Sequence, residues 1–445
     1  MHSLIIRHIK LLHGRIKSRP NLRNILSNSG WLLIDSLLRL GLGLFVGVWL
    51  TRYLGPEKFG ILNFALAFVG LFGTIASLGL QSIVVREIVN KPYSSPEILG
   101  SAGGMQLVAG LATYFLILIS IFCISPDNTI LRSTVALVGV TLVFKSGEIS
   151  AWWFESQVQS RYTVWAQNIT VLVFCLLKVL FVWQGLPLIC FAWLVMAESV
   201  FLSFMLLSFM DRFGGPKLVE LRFSSTRAYN LLKDSWTLIL SGVAISVFTR
   251  VDQLMLGRMV GYDSVGIYSA AVKLSEFWFI IIPALMGSIF PTLVKLHENK
   301  SADLPKRWIQ AYGLMFWISA IVAILLTAFS GRIVQFVYGS NYLEAAPVLT
   351  IYAWSGINVA LGSVWSKWLL LENKIGIGFY AYLFCALINV ALNLLLIPNH
   401  GPAGAAFATL ASYWISALAS YCLHKPKKTF FYIVNGITFG RFAHG

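Results

Sequence analysis

Apolar residues run along this chain in blocks of about twenty, without the strict alternation of β-strands. The blocks fall at 27–50, 59–83, 99–124, 132–154, 163–184, 186–210, 235–257, 265–290, 308–330, 347–371, 375–397 and 402–423. About 20 apolar residues cross a ~30 Å hydrocarbon core as an α-helix. Only helices and closed barrels satisfy their backbone groups in lipid. The pattern therefore predicts an all-α polytopic membrane protein with about twelve transmembrane helices. The polar links are short, and the longest, 211–234, falls after the sixth block. It divides the chain into a basic cytoplasmic N-terminal segment (1–26), a six-helix bundle (27–210), a cytoplasmic linker (211–234), a second six-helix bundle (235–423) and a cytoplasmic C-terminal tail (424–445).

Charge supports this division. Only 12% of the 445 residues are charged and 57% are hydrophobic, against about 25% charged in soluble domains. If the N-terminus is cytoplasmic, the links on that side hold 23 of the 34 Lys and Arg, the opposite links hold five and the spans hold six. That asymmetry follows the positive-inside rule with both termini in the cytoplasm. It accounts for most of the net charge of +16 and argues against a nucleic-acid partner. The first block is a full-length span, so no removable leader is expected. The five cysteines lie in or beside apolar blocks without CxxC spacing, so they read as small hydrophobes with no metal role.

The two halves repeat each other. Arg52-Tyr-Leu-Gly55-Pro-Glu-Lys-Phe-Gly60-Ile-Leu-Asn-Phe-Ala65 is matched by Arg258-Met-Val-Gly261-Tyr-Asp-Ser-Val-Gly266-Ile-Tyr-Ser-Ala-Ala271, with Arg, Gly, Gly, Ile and Ala at a constant offset of 206. Trp31 and Trp236 open the preceding helices at nearly the same offset. Both turns fall on the outer face, so the repeat is parallel, related by a pseudo-two-fold axis along the membrane normal. Such repeats place substrate between the halves and move by rocking.

These runs, with Arg250-Val-Asp-Gln-Leu-Met-Leu-Gly257 and Ile397-Pro-Asn-His-Gly-Pro-Ala-Gly-Ala-Ala406, carry a resemblance. Over residues 25–425 the chain resembles the O-antigen and polysaccharide flippases of the multidrug/oligosaccharidyl-lipid/polysaccharide exporter superfamily. The resemblance implies two six-helix bundles around a central cationic cavity in the bacterial inner membrane. It implies translocation of undecaprenyl-diphosphate-linked oligosaccharide from the cytoplasmic to the periplasmic leaflet by alternating access, coupled to an ion gradient.

Eleven charges lie inside the spans, where each costs about 3 kcal/mol on insertion scales. Asp35 and Arg39 are four apart, while Lys145 and Glu148, and Lys273 and Glu276, are three apart, so each pair can neutralise itself within its own helix. Arg250 and Asp252 are two apart, about 200° around a helix, and must find partners elsewhere. Guanidinium grips phosphate bidentately, which makes Arg39 and Arg250 the leading contacts for a diphosphate. Lys145 and Lys273 come next. Lys367, like Lys178, lies close enough to the end of its span to snorkel, and only Lys367 is kept as a substrate candidate. Glu198, Asp252 and Glu276, with Asp35 and Glu148, are the ion-coupling candidates, because a desolvated carboxylate can exchange a proton near neutral pH. Trp278, Trp365 and Trp368 can stack on sugars, but helix packing or lipid contact explains them better. Gly41, Gly43 and Gly47, like Gly404 and Ala408, read as places where helices approach closely. Pro283 should kink the eighth span.

Three function classes compete. A flippase needs a basic cavity, no large soluble loop and no cofactor, and the absence of GxxxxGK[ST] argues against ATP use. A membrane polysaccharide polymerase or ligase needs a sizeable outer loop, whereas the longest outer links span about 15 residues. A drug or ion exporter of the same superfamily would favour a more acidic interior. The expected partners are the lipid-linked oligosaccharide, the bilayer and other polysaccharide assembly proteins.

Overall fold

The structure is a computed structural model that describes residues 20–374, 376–423 and 425–438, with side chains from residue 41 onward. Among the described residues it is helical without a strand. The first half holds α1 (Pro20–Ser77), α2 (Gln81–Asn90), α3 (Ser95–Ile124), α4 (Thr129–Gly139), α5 (Thr141–Phe144), α6 (Ile149–Ser156), α7 (Arg161–Trp183) and α8 (Leu188–Arg212). The second holds α9 (Ser225–Met259), α10 (Tyr262–Glu276), α11 (Ile281–Glu298), α12 (Leu304–Tyr338), α13 (Ala345–Tyr352), α14 (Ser355–Leu371), α15 (Gly376–Leu423) and α16 (Pro426–Ile437).

Ten stretches of described residues are long and apolar enough to cross a bilayer. Two of them, Gly41–Asn90 with 50 residues and Gly376–Leu423 with 48, have more than twice the length that one crossing needs. Each is broken by a glycine of positive φ, Gly55 (φ 71°) in α1 and Gly401 (φ 51°) in α15. A side chain is disfavoured there and an α-helix cannot continue through it. Ten such stretches among the described residues are thus fewer than the twelve blocks of the sequence, and these two are the ones long enough to hold more than one crossing.

The fourth and tenth spans are broken in the middle. A 3₁₀ turn at Lys145–Glu148 separates α5 from α6, and α13 gives way to α14 around Ala353. In the eighth span the break is a 3₁₀ turn at Phe277–Ile280, and Pro283 follows in the first turn of α11, where it is tolerated. The repeat tryptophans do not open their helices, which start at Pro20 and Ser225.

The segment between the halves is shorter than expected, because 211–212 belong to α8 and 225–234 to α9. It is pinned to the first half. The Arg222 N–H donates to the Pro96 carbonyl at 3.2 Å, and Ser101 Oγ accepts from the Ser224 N–H at 3.0 Å. Within the expected tail, α16 packs on α12. A Cβ on either Gly313 or Gly436 would strike the other's backbone. Trp317 Nε1 donates to the Ile437 carbonyl at 3.2 Å, and Lys425 pairs with Glu372. Among the described residues, Gly41, Gly43 and Gly47 have open space where a Cβ would stand, so they mark no close helix approach, whereas Gly404 abuts the Leu396 carbonyl.

Candidate functional site

The two halves meet around a cavity of about 320 Å³. The arm of α1 after Gly55 lines it with Gly70, Gly73 and Thr74, α9 contributes Ser246 and Arg250, and the break in the fourth span contributes Lys145. Among the described residues no carboxylate lines it. Arg250 lies against Gly70, where a Cβ would meet the guanidinium, so the glycine leaves the cation its room. Lys145 Nζ donates to the Gly73 carbonyl at 3.4 Å. Thr74 Oγ1 and Ser246 Oγ share a hydrogen bond of 2.7 Å across the interface. Two cations from opposite halves thus face one polar recess.

The remaining charges are placed differently from the same-helix pairing expected of them. Among the described residues, Lys145 makes no salt bridge with Glu148, nor Lys273 with Glu276. Lys273 Nζ stands 4.5 Å from the centre of the Phe59 ring, a cation–π contact between halves. Glu276 Oε1 accepts from the Tyr352 hydroxyl at 2.9 Å. Both residues are exposed. Glu276 lies within electrostatic range of Arg250, and Lys178 within that of Lys273.

Lys178 and Glu198 correct the sequence reading. Neither stands alone, since their head groups pair at 2.7 Å between α7 and α8. Lys178 is therefore held inside the first half and does not snorkel. Lys367 lies over the Phe290 ring at 5.1 Å within the second half and does not line the interface cavity. Asp35 and Arg39 lie outside the residues whose side chains are described.

Asp252 points away from Arg250 into the second half, where it is 4% exposed. It accepts from Tyr268 at 2.7 Å, from Asn393 at 2.6 Å and from Thr409 at 2.5 Å. Asn389 joins the cluster through Asn393 at 3.0 Å. The cluster draws on α9, α10 and both arms of α15. Among the described residues Asp252 has no salt-bridge partner, and no group of three or more His, Cys, Asp and Glu is poised for a metal. One carboxylate ringed by neutral oxygen and nitrogen groups suits a proton or a single hard cation of low charge. Sequence reasoning found Asp252 but missed Tyr268, Asn389, Asn393 and Thr409. The four-residue spacing of Asn389 and Asn393 inside an apolar block was the signal available.

At the end of the molecule where Gly55 and Gly261 lie, the repeat closes the halves on each other. Arg52 donates to the Val337 carbonyl at 2.6 Å and to that of Phe336, at the C-terminus of α12. Its repeat partner Arg258 donates to the Ile124 carbonyl at 2.8 Å, at the C-terminus of α3. Each arginine caps a helix of the opposite half, where unpaired carbonyls attract a cation. Between them α1 and α10 cross backbone to backbone. A Cβ on Gly60 would strike the Tyr262 carbonyl, and one on Gly266 would strike that of Pro56.

Known proteins share this architecture. The lipid II flippase MurJ in an inward closed conformation superposes with a TM-score of 0.70 at 16% identity, over 91% of this chain and 90% of that one. An inward-facing multidrug resistance MATE family transporter of the MOP superfamily gives 0.70 at 13% identity, over 88% and 94%. A putative O-antigen transporter of Shigella flexneri is 24% identical over 72% of this chain and 78% of its own length. The fold is thus the two-lobed one of these structures, and the chain is a multi-pass membrane protein. Residues 25–297, well over half of the sequence, match the model of one family, and the chain belongs to it: the polysaccharide biosynthesis protein family.

Proposed function

We propose that this protein flips undecaprenyl-diphosphate-linked oligosaccharide units from the cytoplasmic to the periplasmic leaflet of the bacterial inner membrane. The observation that carries this reading is the placement of Arg250 and Lys145, from opposite halves, around one recess that no carboxylate lines among the described residues. Such a recess favours a polyanion such as a diphosphate, which guanidinium and ammonium bind by charge-assisted hydrogen bonds. The names of the O-antigen transporter and of the lipid II flippase point to the same substrate class.

Alternating access supplies the mechanism. The Gly60–Gly266 crossing and the two arginine caps hold the outer ends of the halves together, and Lys273 joins them through the Phe59 ring. Substrate enters from the inner leaflet and its diphosphate draws Lys145 and Arg250 together. The halves then rock, and the outer crossing parts. Exchange of a proton or sodium ion at Asp252 biases α9, which carries both Asp252 and Arg250, and so couples the gradient to the anion site.

The direct test is flipping in liposomes that hold the purified protein and a fluorescent lipid-linked oligosaccharide. Transfer to the opposite leaflet that needs Arg250 supports the reading. Equal transfer with and without the protein ends it. Collapsing the proton and sodium gradients separately identifies the coupling ion.

A further inference from the structure

The second half contains another cavity, of about 500 Å³, which shares no lining residue with the one between the halves. It lies among the start of α11, the middle of α14 and both arms of α15. That volume falls within the range of about 300–1,000 Å³ typical of small-molecule sites. Rings of Phe279, Trp365, Tyr382, Tyr413 and Tyr421 line it, and among the described residues no charged side chain does.

Polar groups in this cavity are not all spent. Ser363, Ser366, Ser416 and Ser420 donate to backbone carbonyls, which leaves their oxygens free to accept. Asn358 is 4% exposed, yet among the described residues neither its amide nitrogen nor its amide oxygen has a partner. The Tyr421 hydroxyl, also on a side chain 4% exposed, has none among them either. Buried polar groups normally find hydrogen-bond partners, so an orphaned amide and phenol on one cavity wall call for a ligand that offers both donors and acceptors.

We propose that this cavity is a sugar subsite that takes one uncharged pyranose ring. A pyranose has apolar C–H faces that pack on aromatic rings, and hydroxyls that both donate and accept. Asn358 supplies the complementary donor and acceptor, and the absence of charged side chains excludes the diphosphate. The source of the sugar rests on the flippase reading, with the diphosphate held by Lys145 and Arg250 and a ring of the glycan here.

Position gives the subsite a second role. Cys385 and Tyr413 line it, while Asn389 and Thr409 of the Asp252 cluster lie one helical turn away on the same arms of α15. Phe248, one turn from Asp252 on α9, packs on Tyr413 with ring centres 4.7 Å apart. A ring in the cavity therefore presses on the helix faces that hold Asp252.

The test uses the full chain in nanodiscs and a panel of free neutral monosaccharides (hexoses, deoxyhexoses and N-acetylhexosamines), read by saturation-transfer NMR. At least one sugar should bind saturably. Gly362 lies on the cavity wall with open space at its Cβ position, so Gly362→Leu fills the cavity without a backbone clash and should abolish binding. Asn358→Ala should weaken it about ten-fold, the loss of one good hydrogen bond. Binding by no sugar overturns the proposal, as does unchanged binding in Gly362→Leu, and so does displacement of the sugar signal by farnesol together with indifference to Asn358→Ala. Free-sugar binding needs no transport, so its failure leaves the flippase reading standing, while liposome flipping tests that reading separately.

Discussion

Arg250 and Asp252 sit two residues apart and serve opposite sides of one helix. Arg250 enters the cavity between the halves, whose described lining holds no carboxylate, and Asp252 enters a cluster of neutral groups. For Arg250→Ala, loss of a charge-assisted bidentate contact should lower flipping about ten- to a hundred-fold at matched protein level. Arg250→Lys should keep part of the activity, since it retains the charge and loses the fork. Normal flipping by Arg250→Ala would remove this residue from the site. Asp252→Asn keeps the volume and removes the charge, so it should abolish the response of flipping to an imposed ion gradient while leaving gradient-free exchange measurable. A variant that still responds would place coupling elsewhere. The split between Arg250 and Asp252 was legible because helical angle alone dictates it. Pairing of Lys178 with Glu198 was not, since their partnership lies between helices and spacing reports only neighbours on one helix. The same limit left the partners of Lys273 and Glu276 open, and the groups they meet, Phe59 and Tyr352, come from distant parts of the chain.

Among elements, length and hydropathy made the spans visible, and the glycines Gly55 and Gly401 marked where the two longest stretches break. Interruption of the fourth span at Lys145–Glu148 escaped notice because Lys-Ser-Gly-Glu holds no proline and one glycine. That glycine, Gly147, is pressed against Ser203 of α8, where a Cβ would overlap the side chain, so packing and not propensity selects it. The break matters because it delivers Lys145 to the cavity. Docking of α16 was likewise hidden, since Gly313 and Gly436 meet only in three dimensions. The crossing of α1 and α10 is the element whose sequence signal and structure agree most closely. Gly266→Val should destabilise it strongly, because its Cβ meets the Pro56 backbone, which cannot swing aside. Gly43→Ala is the contrast. With open space at its Cβ position among the described residues, it should change stability by less than about 1 kcal/mol, in the favourable direction for a helix interior. Thermal unfolding in detergent distinguishes the two, and equal melting temperatures for both variants would show that the crossing carries no load.

At the scale of the molecule, the parallel repeat makes closure reciprocal. Arg52 and Arg258 hold matching positions and each caps a helix of the other half, so closure of the outer end is shared between two symmetric contacts. Both arginines are on the exposed rim, and a surface hydrogen bond of this kind contributes on the order of 1 kcal/mol. The two contacts are separate and share no partner, so their losses should add. Arg52→Ala and Arg258→Ala should each raise the outward-open population about five-fold, and the double variant about twenty-five-fold. The readout is labelling of a single cysteine placed at Thr74, with native cysteines replaced, by an impermeant maleimide from the outer side. Thr74 lines the interface cavity beneath the crossing, so it reacts only when the outer ends part. Labelling should rise by similar factors in the two single variants, because the repeat makes their contacts equivalent. A rise in one variant alone would mean that the halves are unequal partners in closure, and no rise in the double variant would show that the Gly60–Gly266 crossing holds the outer end without the arginines.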